Sequence, residues 1–180
     1  MLTLPDTIIR TEHPVTVNVR TATLDDRPRL LHLWQERRVI LNQSDARFTA
    51  PTAADRDAWH TQMTERITTA GHTVLVGITQ KNEIAGFISG EARAGVGVIE
   101  DIALDAHTYH PGLGRDLLQH LRAAFTENGI TTLRVIVPRY HAVEQAFWLA
   151  LRAIPWQPPA NEDSWQLPPQ SMWMTWSSGQ

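Results

Sequence analysis

Val98-Ile99-Glu100-Asp101-Ile102-Ala103-Leu104, then Asp105-Ala106-His107-Thr108-Tyr109-His110-Pro111, then Gly112-Leu113-Gly114-Arg115 is the stretch on which the reading of this chain turns. It reads as a β-strand, a turn containing glycine, and the opening of a helix. The first turn of a helix has free backbone N–H groups and a partial positive charge, so it is suited to phosphate. Glycines at 112 and 114 remove side chains where a backbone must approach a bulky anion. Arg115 can add a charge-assisted contact. The same turn also reads as a tight strand-to-helix connection whose glycines serve packing. It is not the dinucleotide fingerprint, because the third glycine would fall at Leu117. It is not a phosphate loop of the Gly-Lys-Ser/Thr type either, since no such triplet follows.

Working outward, the helix opened by Leu113 carries Leu117, Leu118, Leu121 and Phe125 and closes at Asn128-Gly129, a C-terminal stop signal. Thr131–Val137 alternates as a strand. His141–Ile154 is expected to be helical, 155–169 to be a loop with five prolines, and Ser171–Trp176 a last strand. On the other side, His72–Thr79, Ile84–Ala92 and Gly95–Leu104 have short connections and predict an antiparallel meander. Before it, Val15–Arg20 alternates as a half-buried strand. Thr23, followed by Asp25 and Asp26, predicts a helix start. Leu30, Trp34 and Leu41 mark that helix, and Trp59, Met63 and Ile67 mark a second one over 54–69. Residues 1–14 read as an extension, with a short strand expected at Thr7–Arg10. The remainder, 15–180, reads as one domain. The element order β-α-α-β-β-β-α-β-α-β predicts a mixed α/β (α+β) fold with a mostly antiparallel sheet.

Composition narrows the function. The 180 residues carry a net charge of −3, so no nucleic-acid partner is expected. There is no cysteine, which removes disulfides, thiolate metal sites and a cysteine nucleophile together, and suits a cytoplasmic location. The first residues show no basic stretch followed by an apolar one, so no secretory leader is expected. No apolar run is long enough to span a membrane. Lys81 is the only lysine, which we read as genomic base bias.

Ile102-Ala103-Leu104 followed by Tyr109-His110-Pro111-Gly112-Leu113-Gly114 resembles motif A of the GNAT superfamily of acyl-CoA-dependent N-acyltransferases. Glu100-Asp101-Ile102 resembles the strand that precedes it, and the element order from Val15 to Trp176 matches the GNAT fold, with helices on both sheet faces. The resemblance implies transfer of an acetyl group from acetyl-CoA to an amine by direct attack, with no metal. It implies that amides between His110 and Arg115, with Gly112, Leu113 and Gly114 among them, hold the diphosphate. Main-chain groups of Ile102, Ala103 and Leu104 would pair with the pantetheine arm, and a backbone N–H near Leu104 would stabilise the oxyanion. Tyr109 stands where the family has Arg or Gln. Pro111 donates no N–H, although proline suits a helix's first turn. The family often dimerises, so a homodimer is one option.

An amine acceptor is mostly protonated at neutral pH, its pKa being about 10.4 when lysine-like, so it needs a base. Strict alternation places Glu100 and Asp101 on opposite faces, with Glu100 beside Val98, Ile102 and Leu104. A carboxylate there is costly unless it has a partner or a task. Pairing with a neighbouring arginine or a backbone N–H is the plainer account. The resemblance implies Glu100 as the base and Asp101 as second choice. By spacing, His141 takes the place of a common pantetheine-contacting Asn. Trp148 takes that of the Tyr that serves as acid, and an indole N–H is not a useful acid. Tyr140 is then the substitute acid, with water or the amine's own proton as alternatives. Asp105, His107 and His110 read as a solvated loop rather than metal ligands. Trp34 and Trp59 read as core, and Arg37 and Arg38 either as a solvated face or as recognising an acidic group. Trp173 and Trp176 are expected in the sheet or a dimer interface. The rival from another class is a CoA-binding sensor or partner module without catalysis.

Overall fold

The computed structural model describes residues 17–107, 111–159, 165, 167 and 169–177. The strands are β1 (Asn18–Thr21), β2 (His72–Ile78), β3 (Ile84–Arg93), β4 (Val96–Leu104), β5 (Thr132–Pro138), β6 (Ile154–Trp156) and β7 (Ser171–Ser177). The helices are α1 (Arg27–Ser44), α2 (Ala53–Thr68), α3 (Leu113–Glu127) and α4 (Ala142–Ala150), with a 3-10 turn at Leu24–Asp26 ahead of α1. One seven-stranded sheet runs β1-β2-β3-β4-β5-β7-β6. All neighbours are antiparallel except β4 and β5. The expected order stands, with one strand added. The expected strand at Thr7–Arg10 and the start of the one at Val15 lie outside the described residues.

Two cores sandwich the sheet. On one face Leu113, Leu117, Leu118, Leu121 and Phe125 of α3 and Trp148 of α4 pack on Ile88, Ile99 and Val135. On the other, Leu30, Leu33 and Trp34 of α1 and Trp59 and Met63 of α2 pack on Val76, Phe87 and Ala103. Trp34 and Trp59 are therefore core, stacked with ring centroids 5.4 Å apart. A third cluster joins Val98, Trp165 and Trp173, with Trp156 against it. Trp176 packs on the α3 face instead.

The helix expected to reach Ile154 ends four residues earlier. Arg152 takes a left-handed conformation (φ 64°) and the amide of Ala153 donates to the Trp148 carbonyl, which closes α4. Ile154 then enters β6, a three-residue edge strand paired, among the described residues, only with β7. Pro155 is tolerated there because an edge strand has one side free of the ladder.

Two contacts fix the start of α3. Leu113 seats on glycines of the sheet: a Cβ on Gly77 would stand 2.5 Å from its Cδ1, and one on Gly86 3.3 Å from its Cδ2. Burying such a leucine is worth about 1.5–3 kcal/mol. The start of α1 is fixed by Asp26. Its carboxylate takes both ends of the Arg20 guanidinium at 2.7 and 2.8 Å and also the Thr23 amide at 2.7 Å. Those bonds hold its pKa below the ordinary carboxylate range despite burial.

Candidate active site

β4 and β5 pair through only three residues, Gly97 with Leu133, Val98 with Arg134 and Ile99 with Val135. Beyond Ile99 they splay, because β5 continues along β7 while β4 continues along β3. Among the described residues, the β5-facing edge of residues 100–104 is left without a strand partner. Main-chain groups of Ile102, Ala103 and Leu104 stand along that edge. A free strand edge is a ready template for an extended, amide-bearing ligand.

The edge runs into α3. Gly112 takes a left-handed conformation (φ 87°) and α3 begins after it without a side-chain cap among the described residues. Its first amide in the helical ladder is that of Asp116, which donates to the Gly112 carbonyl. The N–H groups of Leu113, Gly114 and Arg115 precede that ladder, where a helix leaves its donors to be met from outside. A cavity of about 740 Å³ opens there, lined by Pro111, Gly112, Leu113, Gly114 and Arg115 on one side and Leu104, His107 and Phe147 on the other. A second cavity, of about 250 Å³, follows the splay, lined by Ile102, Ala103, Leu104, His141, Phe147 and Trp148. The two share Leu104 and Phe147. Tyr109 and His110 lie outside the described residues.

His141 caps α4, its Nδ1 accepting the Glu144 amide at 3.3 Å. Glu144 in turn takes Arg37 of α1 at 2.7 Å, and both line the second cavity. Arg37 is thus a bridge between α1 and α4. Arg38 donates to the Thr49 carbonyl and lies near the Trp34 ring. Trp148 is 1% exposed, and its indole N–H has no hydrogen-bond partner among the described residues. Tyr140 stands apart: the residue is 54% exposed and its ring carries the Arg47 guanidinium 3.5 Å from its centroid.

The tandem acids depart from the alternation. Gly90 pairs with Ile99 and Ser89 with Asp101, so Glu100 is an extra residue, a β-bulge. The bulge turns both carboxylates to the α2 face. Arg66 of α2 holds them together, its Nε 3.1 Å from Glu100 Oε2 and its Nη1 donating to Asp101 Oδ2 at 2.6 Å. Trp59 Nε1 also donates to Asp101 Oδ2, at 3.3 Å. Glu100 therefore does not share a face with Ile102 and Leu104. Burial raises its pKa above the ordinary 4.5, Arg66 and His72 pull it down, and Asp101 and Glu91 push it up; burial outweighs the ion pair. The plainer expectation, pairing with an arginine, holds for both acids at once.

Arg66 was legible only as an anomaly, a cation three residues after Met63 and seven after Trp59, on the buried face of α2. Three further contacts had no signal in the sequence. Arg29 holds Asp105 at 2.6 Å, His107 meets Glu36 at 3.1 Å, and Arg37 meets Glu144. All three tie α1 to the walls of the two cavities.

A protein-family model described as an acetyltransferase (GNAT) domain matches residues 43–147, more than half of the chain. The chain belongs to the GNAT acetyltransferase family. Its fold is similar to that of the PaiA N-acetyltransferase of Thermoplasma acidophilum, solved in complex with coenzyme A. The TM-score is 0.70 at 14% identity, over 90% of this chain and 99% of that one. A GNAT-family acetyltransferase from Staphylococcus aureus gives a TM-score of 0.72 at 10% identity, over 90% and 99%. A GNAT-superfamily phosphinothricin acetyltransferase from Sinorhizobium meliloti, in complex with AcCoA, gives 0.64 at 18% identity, over 90% and 88%. No curated protein matches the sequence. Among the described residues of this GNAT chain, no helix is long and apolar enough to cross a membrane.

Proposed function

We propose that this chain transfers an acetyl group from acetyl-CoA to an amine. The observation that carries this reading is the continuity of three features: the uncapped start of α3, the cavity in front of it, and the free edge of β4 leading to the splay. The α3 amides from Leu113 to Arg115 suit a diphosphate, being donors at the positive end of a 15-residue helix. The β4 edge suits the amides of a pantetheine arm, and the apolar lining from Ile102 and Phe147 suits its carbon chain. Acetyl-CoA would supply an activated acyl group. The chain's own residues supply position and a base, and position alone lowers such a barrier substantially.

Glu100 is the base in this reading. It is the first residue past the β4–β5 pairing, where the splay begins, and it faces α2 rather than α3. An acceptor ammonium arriving from the α2 side would give its proton to Glu100. The raised pKa brings Glu100 nearer to neutral pH, where a base works best. Asp101, bound to Arg66 and Trp59, is the weaker candidate. Trp148 and His141 would line the arm's channel rather than exchange protons. Tyr140 lies outside both cavities' linings, and a thiol of pKa about 8.5 departs without a dedicated acid.

A specific observation favours the alternative, a CoA-binding module without turnover: Trp148 in place of an acid. The test has two arms. Thermal stabilisation by coenzyme A, but not by ATP or NAD, checks the site, since a ligand that binds only the native state raises apparent stability. Release of free thiol from acetyl-CoA with a panel of amines checks turnover. Stabilisation without any thiol release would select the alternative, and no stabilisation would reject both.

A further inference from the structure

One buried pair of atoms has no place in the function so far. Glu100 Oε2 and His72 Nδ1 are both sealed from solvent and neither has a hydrogen-bond partner among the described residues. They stand 3.5 Å apart. Oε2 has the Arg66 Nε at 3.1 Å, whereas Nδ1 meets nothing else among the described residues, and a buried polar atom left unmet forfeits about 1–3 kcal/mol. One proton placed between them serves both.

We propose that His72 is the positioning residue for Glu100, and that the two side chains hold a single proton between Oε2 and Nδ1. His72 is the first residue of β2 and reaches the bulge from across β3. The surrounding charges come from every element packed there. Arg66 comes from α2, 3.1 Å from the same Oε2, and Asp101 from β4 itself. Glu91 comes from β3, opposite His72 in the ladder and engaged by Arg93. Two cations and three carboxylates thus meet at one bulge, so one proton decides whether the cluster is balanced. The arrangement also divides the labour of the Glu100 carboxylate. Its side chain is 13% exposed while Oε2 is sealed, so Oε1 is the oxygen left to meet an acceptor. His72 fixes the rotamer by holding the other oxygen. This rests on reading Glu100 as the base.

The test uses the full chain with no ligand. Glutamate is labelled with 13C at the carboxyl carbon, and the Glu100 signal is assigned by its disappearance in Glu100→Gln. In His72→Asn the Glu100 titration midpoint should move upward by about one pH unit, because an opposing charge within reach of a carboxylate favours its ionised form. An unchanged midpoint overturns the proposal. Should His72→Asn fail to fold, the pair is read from the other side. In 15N-histidine protein the His72 Nδ1 signal should move when Glu100 is replaced by Gln, and an unmoved signal overturns the proposal equally. Neither measurement involves acetyl-CoA or an acceptor. A failed dyad is therefore told apart from a failed base, which is read only from turnover of Glu100→Gln.

Discussion

Arg66→Met removes the cation that holds two carboxylates on one side of the sheet. The guanidinium sits 3.1 Å from Glu100 and 2.6 Å from Asp101, and all three side chains are 13–14% exposed. Taking one partner from a buried charge pair costs about 3–5 kcal/mol, because the remaining charge stays desolvated. For a chain of this size each kcal/mol moves the melting temperature by about 2–4 °C, so a fall of roughly 6–20 °C is expected. The effect has a pH signature. The folded-state pKa of Glu100 is raised above its ordinary 4.5, so its ionisation works against folding. The variant should be least impaired near pH 4.5, where Glu100 keeps its proton, and should lose stability as pH rises through the folded-state pKa. Calorimetry at several values between pH 4.5 and 8 reads this. Adding Glu100→Gln and Asp101→Asn to the variant should recover most of the loss. A fall below about 2 °C, or one that is the same across that range, would refute the account of Arg66 as the counter-charge of the bulge.

Glu100→Gln alone should raise the melting temperature at pH 8 and lose that advantage toward pH 4.5, measured by calorimetry. With a productive amine, the same variant should lose more turnover at neutral than at high pH, read from thiol release. Gly112→Val should weaken coenzyme A binding roughly 5- to 30-fold by titration calorimetry. A left-handed conformation (φ 87°) costs a residue with a side chain about 1–2 kcal/mol, and among the described residues no neighbour stands within 4 Å of a Cβ at Gly112 to oppose a shift of the turn. Arg37→Ala should speed both association and dissociation of coenzyme A in stopped flow, because the Arg37–Glu144 bridge lines the channel. Unchanged rate constants would count against that bridge as a barrier. Gly77→Val should weaken coenzyme A binding although Gly77 does not itself line the cavity, by pushing Leu113 and the start of α3 off the sheet.

The elements with strong periodicity were readable from their own residues. α3 carries Leu117, Leu118, Leu121 and Phe125 on one face and a Gly129 stop, and it lies where that pattern puts it. β6 was hidden because three residues are too few to show a period and one of them is Pro155. Its existence depends on β7 offering a free edge. The tandem acids show the same dependence. Nothing in Val98–Leu104 announces a bulge; it arises because β3 supplies one residue fewer than β4 between Gly90 and Ser89. That single mismatch moved Glu100 to the other face and beside Arg66 and His72. Glu144 was visible in α4 and Arg37 in α1, but their meeting spans 107 positions of sequence and exists only once both helices have docked. The turn of Gly112 and Gly114 was legible because its chemistry is local, whereas the acid–base cluster is assembled by four elements.

The tryptophan cluster on β6, β7 and residue 165 has an optical consequence. Trp156, Trp165 and Trp173 stand with ring centroids 5.6, 6.3 and 5.4 Å apart, nearly perpendicular to one another, and Trp173 Nε1 donates to the Trp165 carbonyl at 2.9 Å. Transition dipoles at that separation and skew couple as an exciton. The native chain therefore carries its own near-ultraviolet circular-dichroism reporter for closure of this sheet border, separate from the Trp34–Trp59 stack, which belongs to another core cluster.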